Sequence, residues 1–287
     1  MGNIFGALRH PFLCVDSGTQ CCFEFDVDGH VVHKIPLSGY SFDIWHLPDD
    51  TVLTCFYDDG SGFRIFDREG HIRREYRTDS SSREIFGCLP MPNGDVVLGD
   101  LRKRALVRVD PNDRIVAVTP LSYDGENPHE VMRMPRLTRD GKNFLVTQPG
   151  IRKIRKYAPD GTVLWEADTR ADTFVAIEKD DGNLVYSSIE GIFEVDAAGK
   201  EVWSVLPQDI PEIGFCWALG MELLDNGDLV VCNWLGHGHD GEGIPLFQIT
   251  REKKIVWSCA VQKEATNLAN FQLLDRDPAR VNNPPRR

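Results

Sequence analysis

The chain has 287 residues, 41% of them hydrophobic and 26% charged, and a formal charge of −12. That is the composition of a large globular domain, and so acidic a surface repels phosphate backbones, so nucleic acid is not an expected partner. No apolar run is long enough to span a bilayer, so no membrane association is expected.

The opening "MGNIFGALRHPFLCV" lacks a basic region followed by a long apolar core, so it does not read as a secretory leader, and the expected location is cytoplasmic. Met1-Gly2 starts like a myristoylation signal, but Gly6 stands where Ser or Thr is needed. The eight cysteines form no CxxC pair and lie mostly in apolar runs such as "VLTCFY" and "LVVCNW", which suits reduced, buried thiols. Three strands come first, "FLCV", "QCCFEFDV" and "HVVHKIPL", within residues 9–39.

From there the sequence repeats. One motif is a strand, an Asp, a tight turn and another strand. It occurs as "FEFDVDGHVV", "FRIFDREGHI", "VRVDPNDRIV", "KYAPDGTVLW", "FEVDAAGKEVW" and "FQITREKKIVW", with turns ending at Gly29, Gly70, Asp113, Gly161, Gly199 and Lys253. A second motif alternates with it, "LPDDTVL", "MPNGDVVL", "TRDGKNFLV", "EKDDGNLVY" and "LDNGDLVV", with turns ending at Asp50, Gly94, Gly141, Gly182 and Gly227. Such turns between β-branched runs need positive φ and mark hairpins. Two hairpins in every ~40–45 residues make a four-stranded propeller blade. Blades fall at residues 40–81, 82–128, 129–171, 172–216 and 217–265. A last strand, "NFQLLD" from Asn270 to Asp275, supplies the innermost strand that the N-terminal segment lacks, so one blade combines 9–39 with 268–277. The expected fold is all-β, a single six-bladed β-propeller over 1–287, its ring closed by the C-terminal strand joining three N-terminal strands so that no long edge stays open.

The turns "YAPDGTVLWE", "EVDAAGKEVW" and "TREKKIVW" resemble the blades of quinoprotein-like and arylsulfotransferase-like propellers. The resemblance implies a PQQ-like repeat and, as one candidate activity, sulfuryl transfer. Quinone-bearing proteins of this kind resemble larger, eight-bladed rings, so no quinone is expected. Trp165, Trp203 and Trp257 recur at one blade position and read as inter-blade core.

In a propeller with strands a to d, counted outwards from the channel, the b–c loops and d–a connections share one mouth of the channel. The a–b and c–d hairpins lie at the other. The stretch from Gly227 to Lys253 is longer than its counterparts, and its surplus is "GHGHDGEG". The long d–a connections contain "LSYDGENPHEVMR" and "LPQDIPEIGFCW". Length variation therefore gathers at one mouth, as on a scaffold that carries a site. It brings there His237 and His239, preceded by Asn233 and Trp234, together with His129, Arg133 and Arg136 from the start of blade four. Asp43, Trp45 and Glu222 lie on innermost strands and are candidates for the channel wall, with His46 replacing Trp45 if the register slips by one. His30, His33 and His71 on outer hairpins, and His10 near the terminus, read as surface residues.

His129, His237 and His239 could give three imidazoles to a divalent metal such as zinc or manganese, with Asp240 or Glu242 as a further ligand. The competing reading is metal-free acid–base work by His129 and His237, with Arg133 or Arg136 holding an anion and Trp45 or Trp234 offering an apolar face. The plainer alternative for each is packing. No Gly-rich phosphate loop and no nucleophile elbow occurs, so no nucleotide is expected. The leading expectation is an enzyme, a lyase or hydrolase acting on a small polar or carbohydrate-like molecule. The rivals are a non-catalytic propeller that binds a protein or ligand, and sulfuryl transfer. A concavity with converging titratable groups favours the enzyme, a broad apolar patch the binding module.

Overall fold

The turns set the architecture. The c–d turns end on positive φ at Gly29 (78°), Gly70 (86°), Gly161 (90°) and Gly199 (79°), and do so even where the residue is Asp113 (61°) or Lys253 (63°). The Asp that opens a turn holds it from inside. The Asp26 carboxylate accepts from the backbone N–H groups of Asp28 and His30 at 2.9 and 2.8 Å, and Asp110 and Asp196 repeat the pattern. This is the local chemistry that lets Asp compete with a backbone acceptor in a tight turn.

The computed structural model describes residues 4–58, 60–78, 84–261 and 263–276. A short strand β1 (Ile4–Gly6) precedes β2 (Phe12–Asp16), β3 (Cys21–Phe25) and β4 (Val31–Pro36). The second blade holds β5 (Ile44–His46), β6 (Val52–Asp58), β7 (Gly60–Phe66) and β8 (Ile72–Arg77), and the third β9 (Ile85–Pro90), β10 (Val96–Asp100), β11 (Ala105–Val109) and β12 (Ile115–Pro120). The fourth holds β13 (Arg136–Leu137), β14 (Phe144–Gln148), β15 (Lys153–Tyr157) and β16 (Val163–Asp168). The fifth holds β17 (Thr173–Glu178), β18 (Leu184–Ser188), β19 (Ile192–Val195) and β20 (Glu201–Val205). The sixth holds β21 (Trp217–Leu223), β22 (Leu229–Trp234), β23 (Leu246–Ile249) and β24 (Ile255–Cys259), and β25 (Leu268–Leu273) follows. Six antiparallel sheets result, and the only helices among the described residues are short 3₁₀ turns. Inner strands such as β9 and β10 are buried along their whole length and are apolar but for Asp100 at the end of β10. Rim strands such as β12 are mostly exposed. None of the helices is long and apolar enough to cross a membrane.

The ring closes as a six-bladed propeller. β25 pairs with β2 (Phe12 with Leu273, Cys14 with Phe271), making the sheet order β25-β2-β3-β4. The closing strand starts at Leu268 rather than Asn270. A second connection is new: β1 pairs with β24, Ile4 with Cys259 and Gly6 with Trp257, adding a fifth strand to blade six. The repeated tryptophans are inter-blade contacts. The Trp165 indole donates to Ala197 O at 2.8 Å and Trp203 to Arg251 O at 2.9 Å, each reaching the c–d turn of the next blade. Trp257 is fully buried, edge-on to Phe12 of blade one. All eight cysteines are free, and all but Cys216 are buried.

Candidate functional site

At the mouth carrying the b–c loops, a cavity of about 480 Å³ opens into the channel. Four of the candidate residues, His129, Arg133, Trp234 and His237, line it. They come from chain segments far apart in sequence, as the loop-length argument expects.

His129 sits in the 3₁₀ turn Pro128–Glu130, started by Pro128 and capped by Asn127, whose side chain accepts from His129 N at 3.1 Å. Its Nδ1 lies 3.0 Å from Glu84 Oε2, and its ring stands edge-on to Phe86, centroids 5.0 Å apart. In the neutral ring the proton that bonds the carboxylate sits on Nδ1, which leaves the Nε2 lone pair available to accept a proton. His237 is held differently. Its backbone is left-handed (φ 56°), and its ring packs against Trp217 at 5.2 Å and Trp234 at 5.0 Å. Trp234 is pinned by an indole bond to Ser17 Oγ at 3.0 Å. Its ring lies over Gly236, where a Cβ would come within 2.1 Å of the indole, so only glycine permits this wall.

Arg133 is buried, 8% exposed, with its guanidinium 4.8 Å over the Phe86 ring. It donates to the carbonyls of His129 and Met132. Among the described residues it has no carboxylate within 4.0 Å. Burial pulls its pKa down to about 10, against the more distant charges of Asp172, Glu84 and Glu130.

Much of the remaining wall is aromatic, with Tyr40, Phe42, Tyr57, Phe86, Phe174 and Trp217. Sequence reasoning missed these residues, though a signal exists. At one fixed offset before the turn residues Asp50, Gly94, Gly141, Gly182 and Gly227 stand Phe42, Phe86, Arg133, Phe174 and Leu219, and all five line the cavity. Arg133 thus occupies the place of an apolar residue in the other four blades. Glu84 was missed for another reason, since it lies outside both repeat motifs.

The remaining candidates are elsewhere. Asp43 and Arg136 form a fully buried bidentate pair at 3.0 and 3.1 Å, and Asn270 Nδ2 donates to Asp43 at 2.7 Å. This links blades two, four and one, and neither residue lines the cavity. Burial still pushes the Asp43 carboxyl up, against the guanidinium beside it. Trp45 is buried with its indole on Cys88 O at 2.6 Å and Arg136 stacked on its ring. His46 turns away to Asp50 at 2.8 Å. Asn233 is a clamp: it accepts from Cys216 N at 2.7 Å and donates to Gly214 O and Ile244 O at 3.2 Å, fixing the ends of the long loop. Glu222 lies at the opposite mouth, accepting from Leu273 N at 2.8 Å. His10, expected at the surface, is mostly buried there between Asp275 (2.7 Å) and Gln248 (3.0 Å).

His239 faces a separate recess with Cys216 and Glu242, and its Nδ1 pairs with Glu242 Oε2 at 2.9 Å. The positive φ of His237 and of Gly238 (94°) sends the two histidine side chains apart. A single-ion site on His129, His237 and His239 is therefore not assembled. Among the described residues, the only three metal-capable side chains with ligand atoms within 4.8 Å are Asp67, Glu69 and His71, at an outer hairpin where Asp67 already pairs with Arg73.

No family model matches the chain, and no curated protein matches it. Solved structures do. A protein of unknown function from Bacteroides caccae is similar at 18% identity and a TM-score of 0.80, over 94% of this chain and 100% of that one. A catalytically inactive histidine-to-alanine variant of virginiamycin B lyase from Staphylococcus aureus, with quinupristin, is similar at 13% identity and a TM-score of 0.64, over 94% of both chains. A streptogramin B lyase is similar at 12% identity and a TM-score of 0.62, over 89% of this chain and 86% of that one. At these identities the likeness is one of fold. The resemblance of the turns to quinoprotein-like and arylsulfotransferase-like propellers likewise reaches no further than the propeller ring.

Proposed function

We propose that the cavity is the active site of an acid–base enzyme of the lyase type, with His129 as the base. The observation that carries this reading is the Glu84–His129 pair on the wall of a cavity that also holds His237 and a buried guanidinium without a carboxylate partner. Carboxylate-oriented imidazole is a proton-transfer device, and the concavity with converging titratable groups suits an enzyme better than a flat docking face. The lyases of the same fold support the reaction class, and the inactive histidine variant of one of them agrees with a histidine at its centre.

In the reaction envisaged, His129 Nε2 takes a proton from a carbon beside a carbonyl or carboxyl group. The C–H electrons become the new C=C bond, and the pair of the breaking bond leaves with the departing group. His237, in its protonated form, gives that group its proton. Arg133 faces the oxygen on which negative charge builds during proton removal. Solvent at the open mouth returns both histidines to their starting states. Hydrolysis at the same site would use His129 to take a proton from water instead.

The test is a panel of ring-bearing esters, lactones and β-substituted carboxylic acids incubated with the full chain, with products weighed by mass spectrometry. Elimination gives products whose masses sum to the substrate, and hydrolysis adds one water. His129→Ala should lower turnover by ~10²–10⁴-fold. The reading fails if the wild-type protein turns over no member of the panel, or if His129→Ala works at the wild-type rate.

A further inference from the structure

Three arginines in the described structure are buried: Arg64, Arg133 and Arg136. Arg64 pairs with Glu75 at 2.5 Å, and Arg136 with Asp43 at 3.0 Å. Arg133 alone, among the described residues, lacks such a partner. Its Nη1 is spent on the two backbone carbonyls, and no described residue accepts from Nε or Nη2. A desolvated guanidinium strongly favours a partner of opposite charge, and its planar fork matches a carboxylate. The nearby acids do not serve. Glu84 is engaged by His129, Glu130 Oε1 accepts from Asn127 at 3.0 Å, and Asp172 lies outside ion-pair distance.

The space in front of Arg133 is bounded by ring faces. Phe86 lies under the guanidinium, and Phe174 is stacked with Trp217 at 6.1 Å and 23°. Flat apolar walls reward a flat apolar ligand, through area removed from water and offset stacking. About 480 Å³ is room for a two-ring compound with substituents. The net charge of −12 opposes anions in general, but at physiological salt that repulsion is screened over ~8 Å and does not govern a local ion pair.

We propose that the cavity takes an aromatic carboxylate, its carboxylate on Arg133 and its ring between Phe86, Phe174 and Trp217. This deepens the acid–base reading and rests on it: where the carboxylate is carried on a saturated carbon beside the ring, the C–H of that carbon is the one His129 meets, while Arg133 balances the charge that builds on the carboxylate. It replaces the small polar or carbohydrate-like substrate expected from sequence with an apolar ring bearing one negative group.

The probes are 2-naphthoate and its neutral isostere 2-naphthamide, titrated into the full chain by calorimetry. The acid should bind ~10–100-fold tighter than the amide, the range of one charge-assisted bidentate contact. Arg133→Gln should abolish the difference, and Trp217→Ala should weaken both probes by a similar factor. His129→Ala should keep the preference, which separates this proposal from the catalytic one. Preference without turnover sinks the lyase reading and supports the binding mode, and turnover without preference does the reverse. Equal affinity for acid and amide in the wild type overturns the proposal. So does a preference that survives in Arg133→Gln, or Trp217→Ala binding both probes as the wild type does. If Arg133→Gln does not fold, the wild-type ratio and the Trp217→Ala result still decide.

Discussion

Replacing Glu222 with Gln removes a carboxyl that is fully buried at the mouth opposite the cavity. One of its oxygens accepts from Leu273 N, and the other has no hydrogen bond, its nearest cation being Arg276 at 3.7 Å. Burial outweighs that distant guanidinium and pushes the Glu222 pKa up to about 7. The sign follows from linkage. A carboxyl whose folded pKa lies above its unfolded value, ~4.3, contributes stability that is fully present below ~4.3 and is lost as pH rises through about 7. Between pH 5 and pH 8 the wild type should lose ~2–3 kcal/mol from this group. The glutamine keeps the acceptor for Leu273 and does not titrate. His10 and Asp275 stay in both proteins, so their own titration largely cancels in the comparison. The assay is urea unfolding followed by tryptophan fluorescence at both pH values. The stability of Glu222→Gln relative to wild type should rise by ~2–3 kcal/mol from pH 5 to pH 8. Equal differences at the two pH values, or a fall, would refute the reasoning.

Two other outcomes concern the ring. Arg136→Met leaves Asp43 charged and buried without its guanidinium, and should cost ~3–5 kcal/mol in urea unfolding, while a loss below ~1 kcal/mol would show that the strut is not structural. Deleting residues 268–287 removes β25, exposes the inner edge of β2 to solvent, and should abolish cooperative melting; an unchanged melting curve would disprove the closure.

The fold was legible because it is written in turns. Each tight turn needs a positive φ at one fixed offset, which glycine takes most easily and Asp50, Asp113 or Lys253 takes elsewhere, and that constraint recurs in each blade whatever the strands contain. β1 was not legible, since three residues pairing with an outer edge leave no alternation to read. The mouth was legible from loop lengths, but its contents only in part. His129 and His237 reach one wall, yet His239, one residue beyond Gly238, does not, because backbone angles in a glycine-rich loop decide direction and the sequence leaves them free. Asp43 and Arg136 carry the residue types of a site, and only the register shows that they neutralise one another. Part of the aromatic wall, Phe42, Phe86 and Phe174, sits at one repeat position that resembles any other core, until the odd member, Arg133, is set beside its counterparts.

The closing strand also governs when the molecule can finish folding. Ser17, just past β2, meets Asn267, just before β25, across a separation of 250 residues. A nascent chain must therefore leave the first blade without its inner strand until almost all the others have been made. Joining ends so distant costs ~5 kcal/mol of chain entropy by the logarithmic loop law. Contacts of such high sequence separation slow folding and hold sheet edges open meanwhile. Docking of β25 onto β2 is thus expected to be the slow step of assembly, and the open edge of β2 the place where chaperones or self-association have their longest opportunity.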